Sequence, residues 1–286
     1  MVIGRLAPTP SGGLHLGNAR TFLIAWLSAR AAGGRIVLRI DDLDRPRVKI
    51  GYTEQALADL RWLGLDWDGE PLYQSQRSAA YETALDKLRA AGAVYASTAS
   101  RRELALAAQA PHANEPSSGD ISSDRLPAWR FRVSKQPVDF DDAIHGACAI
   151  TTDDFVVFRN DGIAAYQLAT VVDDHFQGVT EVVRGDDLLS STPRQILLAR
   201  ALGLPSPRYV HVPLVLDGQS ERMAKRRDST QLAALRAAGA PAAEIIGRLA
   251  GSCGWAQAGE HIRPAELLAR FDLAKLPRHA VQLTGP

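Results

Sequence analysis

A histidine stands inside a stiff turn close to the N-terminus of the chain. In the stretch RLAPTPSGGLHLGN, His15 follows two prolines and two adjacent glycines and precedes a long apolar run. Glycines between a strand and a helix let the backbone approach a phosphate, and the first helical turn offers unpaired N–H groups. Two interpretations follow: His15 donates a hydrogen bond to a phosphate oxygen as charge develops there, or it only caps the helix.

A basic motif lies much further along the chain. Residues 222–226 read RMAKR, inside a charged loop that follows an apolar, strand-like run. Taken alone, such a run is typical of solvated surface. Combined with a histidine turn in a nucleotide-type fold, Lys225 becomes a candidate phosphate clamp that would stabilise charge on departing pyrophosphate.

The elements around the histidine predict a nucleotide-binding α/β fold. Residues 1–6 have the pattern of a short strand, and 18–32 space their apolar residues at helical intervals. Residues 35–40 alternate in polarity and are rich in β-branched side chains, which indicates a second strand. Strand, turn, helix and strand make a βαβ unit with a parallel sheet.

Changes in pattern along the chain predict its domain organisation. We expect one catalytic domain over 1–228, with an insertion at roughly 71–163, and a short helical region over 229–286. The segment 154–185, DFVVFRNDGIAAYQLATVVDDHFQGVTEVVRG, looks rich in strands, and its RNDG stretch at 159–162 is typical of a hairpin.

Composition indicates a cytoplasmic enzyme. The chain has 286 residues, of which 46% are hydrophobic, enough for a sizeable core. No apolar run approaches the roughly 18 residues that a membrane span needs, and the N-terminus lacks a signal-peptide pattern. The formal net charge is +1, so a nucleic-acid partner would be held by a local patch. Cys148 and Cys253 are far apart and are interpreted as small buried hydrophobes.

Both motifs resemble the signatures of class I aminoacyl-tRNA synthetases. HLGN is similar to the HIGH motif, and RMAKR is similar to a degenerate KMSKS loop. Longer blocks resemble the glutamyl branch of that family, in the same order, from Arg5 to Lys225: RLAPTPSGGLHLGNAR, LRIDDLDRPR, AYQLATVVDDHFQGVTEVVRGDDLLSSTPRQ and YVHVPLVLDG. The resemblance implies a Rossmann-type catalytic domain with an inserted acceptor-binding-like subdomain and a short, stem-contact-like C-terminal helical part.

About 60 residues follow Lys225, too few for two further domains of about 100 residues each. The chain therefore resembles the truncated paralogues of glutamyl-tRNA synthetase, the glutamyl-queuosine tRNA(Asp) synthetases. That resemblance implies ATP-dependent, tRNA-independent activation of L-glutamate, with Mg²⁺ accompanying ATP. Glutamate would then pass to the queuosine at the wobble position of tRNA(Asp). The implied protein is a monomer with no membrane partner.

The resemblance also implies roles for individual residues. His15 and Lys225 would be the catalytic pair acting on the phosphates. The amino-acid site would comprise Arg5, Ala7, Thr9, Asp41, Tyr166 and Arg184. The ATP site would comprise His15, Gly17, Asn18, Asp187, Arg222, Met223 and Lys225. Arg5 and Arg184 would hold a carboxylate, and Asp41, where the family usually has glutamate, would meet the substrate ammonium from one methylene further away.

Several alternatives stay open. The chain could glutamylate another acceptor, or be a truncated discriminating glutamyl-tRNA synthetase. It could also be a nucleotidyltransferase of the same superfamily that works without tRNA. The degenerate loop keeps a catalytically silent RNA-binding protein under consideration, although Arg5, His15, Tyr166, Arg184 and Lys225 are all present.

The cysteine positions of the family's zinc site hold other residues here. Ser97 and Ala99 occupy the C-x-C pair, and neither can supply a thiolate. We expect metal analysis of the purified protein to find no stoichiometric zinc. One bound zinc per chain would contradict this prediction.

Overall fold

The computed structural model describes residues 1–44, 48–49, 51–98, 126–216 and 231–283. Their strands are β1 (Ile3–Leu6), β2 (Arg35–Ile40), β3 (Leu72–Tyr73), β4 (Val94–Ser97), β5 (Ala128–Phe131), β6 (Val138–Asp142), β7 (Gly146–Ile150), β8 (Phe155–Phe158), β9 (Glu181–Gly185), β10 (Arg208–Val212), β11 (Val215–Leu216) and β12 (Val281–Gln282). Their α-helices are α1 (Leu16–Ala31), α2 (Tyr52–Trp62), α3 (Ser78–Ala90), α4 (Tyr166–Phe176), α5 (Thr192–Leu202), α6 (Leu232–Ala237), α7 (Ala242–Gly251) and α8 (Pro264–Leu267). Among these described helices, none is long and apolar enough to cross a membrane.

Parallel strands carry the N-terminal unit. β1 pairs with β2, and β2 pairs with β3, all in parallel. β9 lies beside β1, where the Thr180 N–H donates to the Ile3 carbonyl at 2.9 Å. β10 pairs in parallel with both β9 and β6, and β7 is the antiparallel partner of β6. The predicted βαβ unit and α/β fold are confirmed.

Helix α1 crosses from β1 to β2 and fills the core. Leu23, Ile24 and Leu27 are fully buried. The turn after the helix needs glycine at position 34, because a Cβ there would overlap the Val2 carbonyl. This close approach fixes where β2 begins, and therefore where its carboxyl end lies at the edge of the sheet.

The strand-rich interpretation of 154–185 is wrong for its central part. Tyr166–Phe176 forms helix α4, and only the two ends of the segment are strands, β8 and β9. Leu168 and Ala169 are fully buried, as a helix packed on one face requires. The β-branched residues of the segment favour a strand locally, but tertiary packing of the apolar face decides the outcome.

Strands from the proposed insertion contact the nucleotide-type sheet. β3 pairs with β2, and β6 pairs with β10 through Tyr209 and Asp142. Between them, β4, β5 and β8 form a separate antiparallel sheet. Its core includes Phe131 and Phe155, whose rings stack with centroids 5.3 Å apart. The domain boundaries at 71–163 and 228 stay predictions.

The C-terminal region is bonded directly to the catalytic half. β12 pairs in parallel with β11, and the Leu232 N–H donates to the Leu14 carbonyl at 2.8 Å. Arg20 of α1, which is fully buried, donates to Ser252 Oγ at 3.0 Å and to the Pro213 carbonyl at 2.9 Å. These contacts hold residues 231–283 against the turn that contains the histidine.

Asp59 of α2 is a buried carboxylate that faces Arg236 of α6. The Nη2 atom of Arg236 lies 3.2 Å from Asp59 Oδ1. Burial raises the pKa of Asp59 to about 6, and Arg236 offsets only part of that rise. Because the folded chain binds this proton more tightly than the unfolded chain does, the charged carboxylate destabilises the fold at neutral pH. That destabilisation disappears as the pH falls through 6 towards 4.

We expect Asp59→Asn to raise the free energy of unfolding by about 1–3 kcal/mol at pH 8, since the rise in the pKa of Asp59 to about 6 corresponds to that range. The gain should shrink towards zero as the pH falls to about 4.5. Urea unfolding across this pH range measures it, with Asp86→Asn, at an exposed carboxylate of α3, as the control. A gain that does not change with pH would contradict the assignment to Asp59.

Candidate active site

A cavity of about 310 Å³ opens at the carboxyl ends of β1 and β9, over the first turn of α1. Ligands bind at this edge in parallel α/β sheets, because the loops that follow the strands meet there. Residues that the family resemblance assigns to substrate binding line it: Ala7, Thr9, His15, Gly17, Asn18, Arg184 and Asp187. Segments that lie far apart in the sequence therefore meet at one cavity, as the resemblance implies.

His15 is the N-cap of α1. Its Nδ1 accepts hydrogen bonds from the N–H groups of Gly17 (3.1 Å) and Asn18 (3.3 Å), and the Asn18 side chain accepts from the His15 N–H. This arrangement is a capping box, so His15 does cap the helix, and a role in phosphate binding stays a prediction. In the neutral ring, an accepting Nδ1 places the proton on Nε2. Capping thus leaves His15 in the tautomer that a phosphate-donating role requires.

Arg184, at the end of β9, is a buried arginine with neutral partners. Its Nε donates to His211 Nε2 at 3.0 Å, its Nη1 to Gln195 Oε1 at 2.8 Å, and its Nη2 to Thr192 Oγ1 at 2.8 Å. Only 4% of the residue is exposed. Within the described ranges, no carboxylate lies within ion-pair distance of this guanidinium. A buried cation without an anion is costly, so Arg184 suits a substrate carboxylate.

The other buried cations of this edge do have acidic partners. Arg39 Nε donates to Asp41 at 2.6 Å, and its Nη1 contacts Asp174 at 2.5 Å. Arg5 donates from Nη1 to the Val183 carbonyl at 2.8 Å, and its Nε lies 3.8 Å from Asp174.

The charged groups of these ion pairs are buried away from water, and burial shifts their pKa values. Burial alone would lower the pKa of Arg39, but Asp41 and Asp174 raise it well above its ordinary value. Burial lowers the pKa of Arg5, which Asp174 only partly offsets. Burial also raises the pKa of Asp41, against the effect of Arg39. The predicted ammonium ligand Asp41 is therefore already paired with Arg39, a partner that the sequence interpretation omitted.

Adjacent aspartates on α4 face different parts of the fold. Asp174 contacts Arg5 and Arg39, whereas Asp173 accepts hydrogen bonds from elements near α3. Those donors are Gln74 Nε2 at 2.9 Å, Arg77 Nε at 3.0 Å and the Tyr81 hydroxyl at 2.6 Å. Asp173 and Asp174 therefore connect residues of the proposed insertion with the buried arginines of β1 and β2.

The remaining assigned residues are placed as follows. Tyr166 is the first residue of α4, is 40% exposed, and lies close enough to Arg5 to affect its pKa. Arg5, Asp41 and Tyr166 do not line the cavity that His15 and Arg184 share. Arg222, Met223 and Lys225 lie outside the described residues. The roles given to all these residues stay predictions.

Sequence reasoning missed three buried residues of this edge. These are Arg39 on β2, Asp142 on β6 and His211 on β10, which are 0–4% exposed. Charged or titratable residues inside apolar strand patterns are rarely buried without a partner. An arginine within the apolar strand pattern RIVLRI, and a histidine within YVHVPLVL, were the signals that could have identified Arg39 and His211.

Comparisons with known proteins bear on the family of this chain. The family model for the catalytic domain of class I tRNA synthetases (E and Q) matches residues 1–280. A glutamyl-Q tRNA(Asp) synthetase from Symbiobacterium thermophilum is 46% identical, covering 99% of this chain and 96% of the relative. One from Nocardia farcinica is 48% identical, covering 98% of this chain and 93% of the relative.

The chain belongs to the glutamyl-Q tRNA(Asp) synthetase family.

A solved structure supports the same fold for this synthetase. The crystal structure of the glutamate-tRNA synthetase of Elizabethkingia anophelis matches with a TM-score of 0.84 and 26% identity, over 99% of this chain and 68% of that one. As a class I tRNA synthetase, the protein is a ligase, and ATP is its substrate.

The zinc prediction for this synthetase is not tested by the described residues. Ser97 lies in β4, and Ala99 lies outside the described ranges. In the described part of the chain, no group of three or more histidine, cysteine, aspartate or glutamate side chains could hold a metal ion.

Substitutions at His15 can separate helix capping from phosphate binding in this synthetase. Asparagine is a good N-cap but has no group at the position of Nε2. We expect the free energy of unfolding of His15→Asn to lie within about 0.5 kcal/mol of the wild-type value, while the rate of glutamate activation falls by about 10²-fold. His15→Ala should show the same loss of activation and should also be less stable than the wild type by about 1 kcal/mol. Urea unfolding and pyrophosphate–ATP exchange measure the two effects; full activity in the asparagine variant would mean that His15 only caps the helix.

Proposed function

We propose that the chain activates L-glutamate with ATP, without tRNA, and transfers it to queuosine at the wobble position of tRNA(Asp). One observation carries the amino-acid part of the proposal. The buried guanidinium of Arg184 lines the same cavity as the N-terminus of α1, and its direct partners are neutral. A substrate with a side-chain carboxylate would supply the missing negative charge.

The first step needs positioning and charge stabilisation rather than a covalent nucleophile. An oxygen of the glutamate α-carboxylate would attack the α-phosphorus of ATP in line. The bond from that phosphorus to the bridging oxygen breaks, and pyrophosphate leaves with the electron pair. His15 at the start of α1 and Lys225 are proposed to stabilise charge on the phosphates, with Mg²⁺ arriving bound to ATP.

The second step is acyl transfer from glutamyl-adenylate. A hydroxyl of the queuosine cyclopentene-diol would attack the activated carbonyl, lose its proton, and displace AMP. Two relatives at 46% and 48% identity are glutamyl-Q tRNA(Asp) synthetases, which supports this acceptor. Transfer to another acceptor, or to the 3′ end of a tRNA, is the competing outcome.

Labelled glutamate, ATP and tRNA from queuosine-competent or queuosine-deficient cells test the proposal. We expect label only on the competent pool, and on the anticodon fragment after nuclease cleavage. Glutamate-dependent exchange of pyrophosphate into ATP should proceed without any tRNA.

Each other result has a distinct meaning. Label at the 3′ end in both pools would show an ordinary glutamyl-tRNA synthetase. A tRNA requirement for the exchange reaction would contradict tRNA-independent activation. Lys225→Ala and Arg184→Ala should each abolish the exchange while the protein stays folded, as circular dichroism can verify.

A further inference from the structure

We propose that Asp142 and His211 are positioning residues that hold the Arg184 guanidinium in its glutamate-binding orientation. The inference rests on the proposed function, because it assumes that Arg184 binds the substrate carboxylate. It adds residues from two further strands, β6 and β10, to the amino-acid site.

The contacts that run from Asp142 through His211 to Arg184 are called the relay, and the first of them joins Arg184 to His211. Arg184 Nε donates to His211 Nε2 at 3.0 Å, and Thr192 Oγ1 lies 3.1 Å from the same nitrogen. Arg184 has five N–H hydrogens, and three go to His211, Gln195 and Thr192. Two hydrogens therefore remain, one on Nη1 and one on Nη2, for a substrate carboxylate.

The second contact fixes the histidine tautomer. Because His211 Nε2 accepts from Arg184, the neutral ring carries its proton on Nδ1. That Nδ1 lies 2.7 Å from Asp142 Oδ2, which also accepts from the His211 backbone N–H at 3.1 Å. Both side chains are fully buried. Asp142 thus orients the ring that orients the arginine.

Asp142 is itself held rigidly. Its Oδ1 accepts the backbone N–H groups of Ile144 at 2.9 Å and His145 at 3.0 Å. It sits at the end of β6, where that strand pairs with Tyr209 of β10. Although β6 lies inside the proposed insertion, its last residue serves the amino-acid site of the nucleotide-type sheet.

The relay works only while His211 is neutral. The charged or titratable groups around it are Asp142, Arg184, His145 and the Tyr209 ring, which stacks on it at 6.0 Å. Burial lowers the pKa of His211, Asp142 partly offsets this, and Arg184 lowers it further. A proton on Nε2 would remove the acceptor for Arg184 and place two cations in contact. Glutamate binding should therefore weaken at acidic pH.

Substitutions at His211 test the proposal. Glutamine keeps an acceptor near the position of Nε2 but does not titrate, whereas leucine provides no acceptor. We expect His211→Leu to raise the KM for glutamate by about 10-fold or more with little change in the KM for ATP, the effect of losing one hydrogen bond to a charged group. His211→Gln should restore the KM to within about 3-fold of the wild type.

The pH profile separates positioning from a purely structural role. Because the pKa of His211 is lowered, wild-type KM for glutamate should stay constant from pH 8 to about 6.5 and rise only below that pH, and His211→Gln should lose most of that rise. His261→Gln, the same change at an exposed histidine, should keep the wild-type profile. If His211→Leu does not fold, the comparison of the two glutamine variants decides alone.

Two results would overturn the proposal. The first is a KM for glutamate in His211→Leu that stays within twofold of the wild-type value. The second is a pH dependence of that KM in His211→Gln that is identical to the wild-type dependence. Arg184→Ala shows which idea has failed, by isothermal titration with glutamate. If its glutamate affinity is unchanged, the proposed role of Arg184 is wrong; if affinity falls while His211 variants behave normally, only the relay is wrong.

Discussion

The guanidinium of Arg184 is buried at the carboxyl edge of the sheet among neutral hydrogen-bond acceptors. Removing a cation from water without an adjacent anion costs folding free energy, so the surrounding structure must compensate for it. The other two buried arginines of this edge, Arg5 and Arg39, differ from Arg184 because both face a carboxylate, that of Asp174.

This constraint explains why distant elements meet here. The acceptors around Arg184 come from α5 and β10, and the aspartate behind His211 comes from β6. On the other side, α4 supplies Asp174 to the arginines of β1 and β2 and Asp173 to the region of α3. The helix and the strands are therefore positioned by buried charge as well as by apolar packing, and the inserted segment is part of that arrangement.

Local pattern was sufficient for the N-terminal half of the site. The helical spacing after the glycine-rich turn and the two flanking strand patterns predict β1, α1 and β2, and so they place His15 at a helix N-terminus beside the sheet edge. The prediction of strands over the α4 segment was wrong because its β-branched residues favour a strand locally, whereas packing of its apolar face requires a helix. The contacts of Arg184 with His211 and of His211 with Asp142 join residues 27 and 69 positions apart. No spacing rule predicts such pairs, since they depend on the order of strands in the sheet.

A crystal structure with glutamate and a non-hydrolysable ATP analogue tests the central claim most directly. We expect the side-chain carboxylate of glutamate to lie within about 3 Å of Nη1 and Nη2 of Arg184, with the phosphates over the first turn of α1. The Arg184 contacts to His211, Gln195 and Thr192 should be unchanged. A bound glutamate whose side-chain carboxylate contacts neither Arg184 nitrogen would contradict this account.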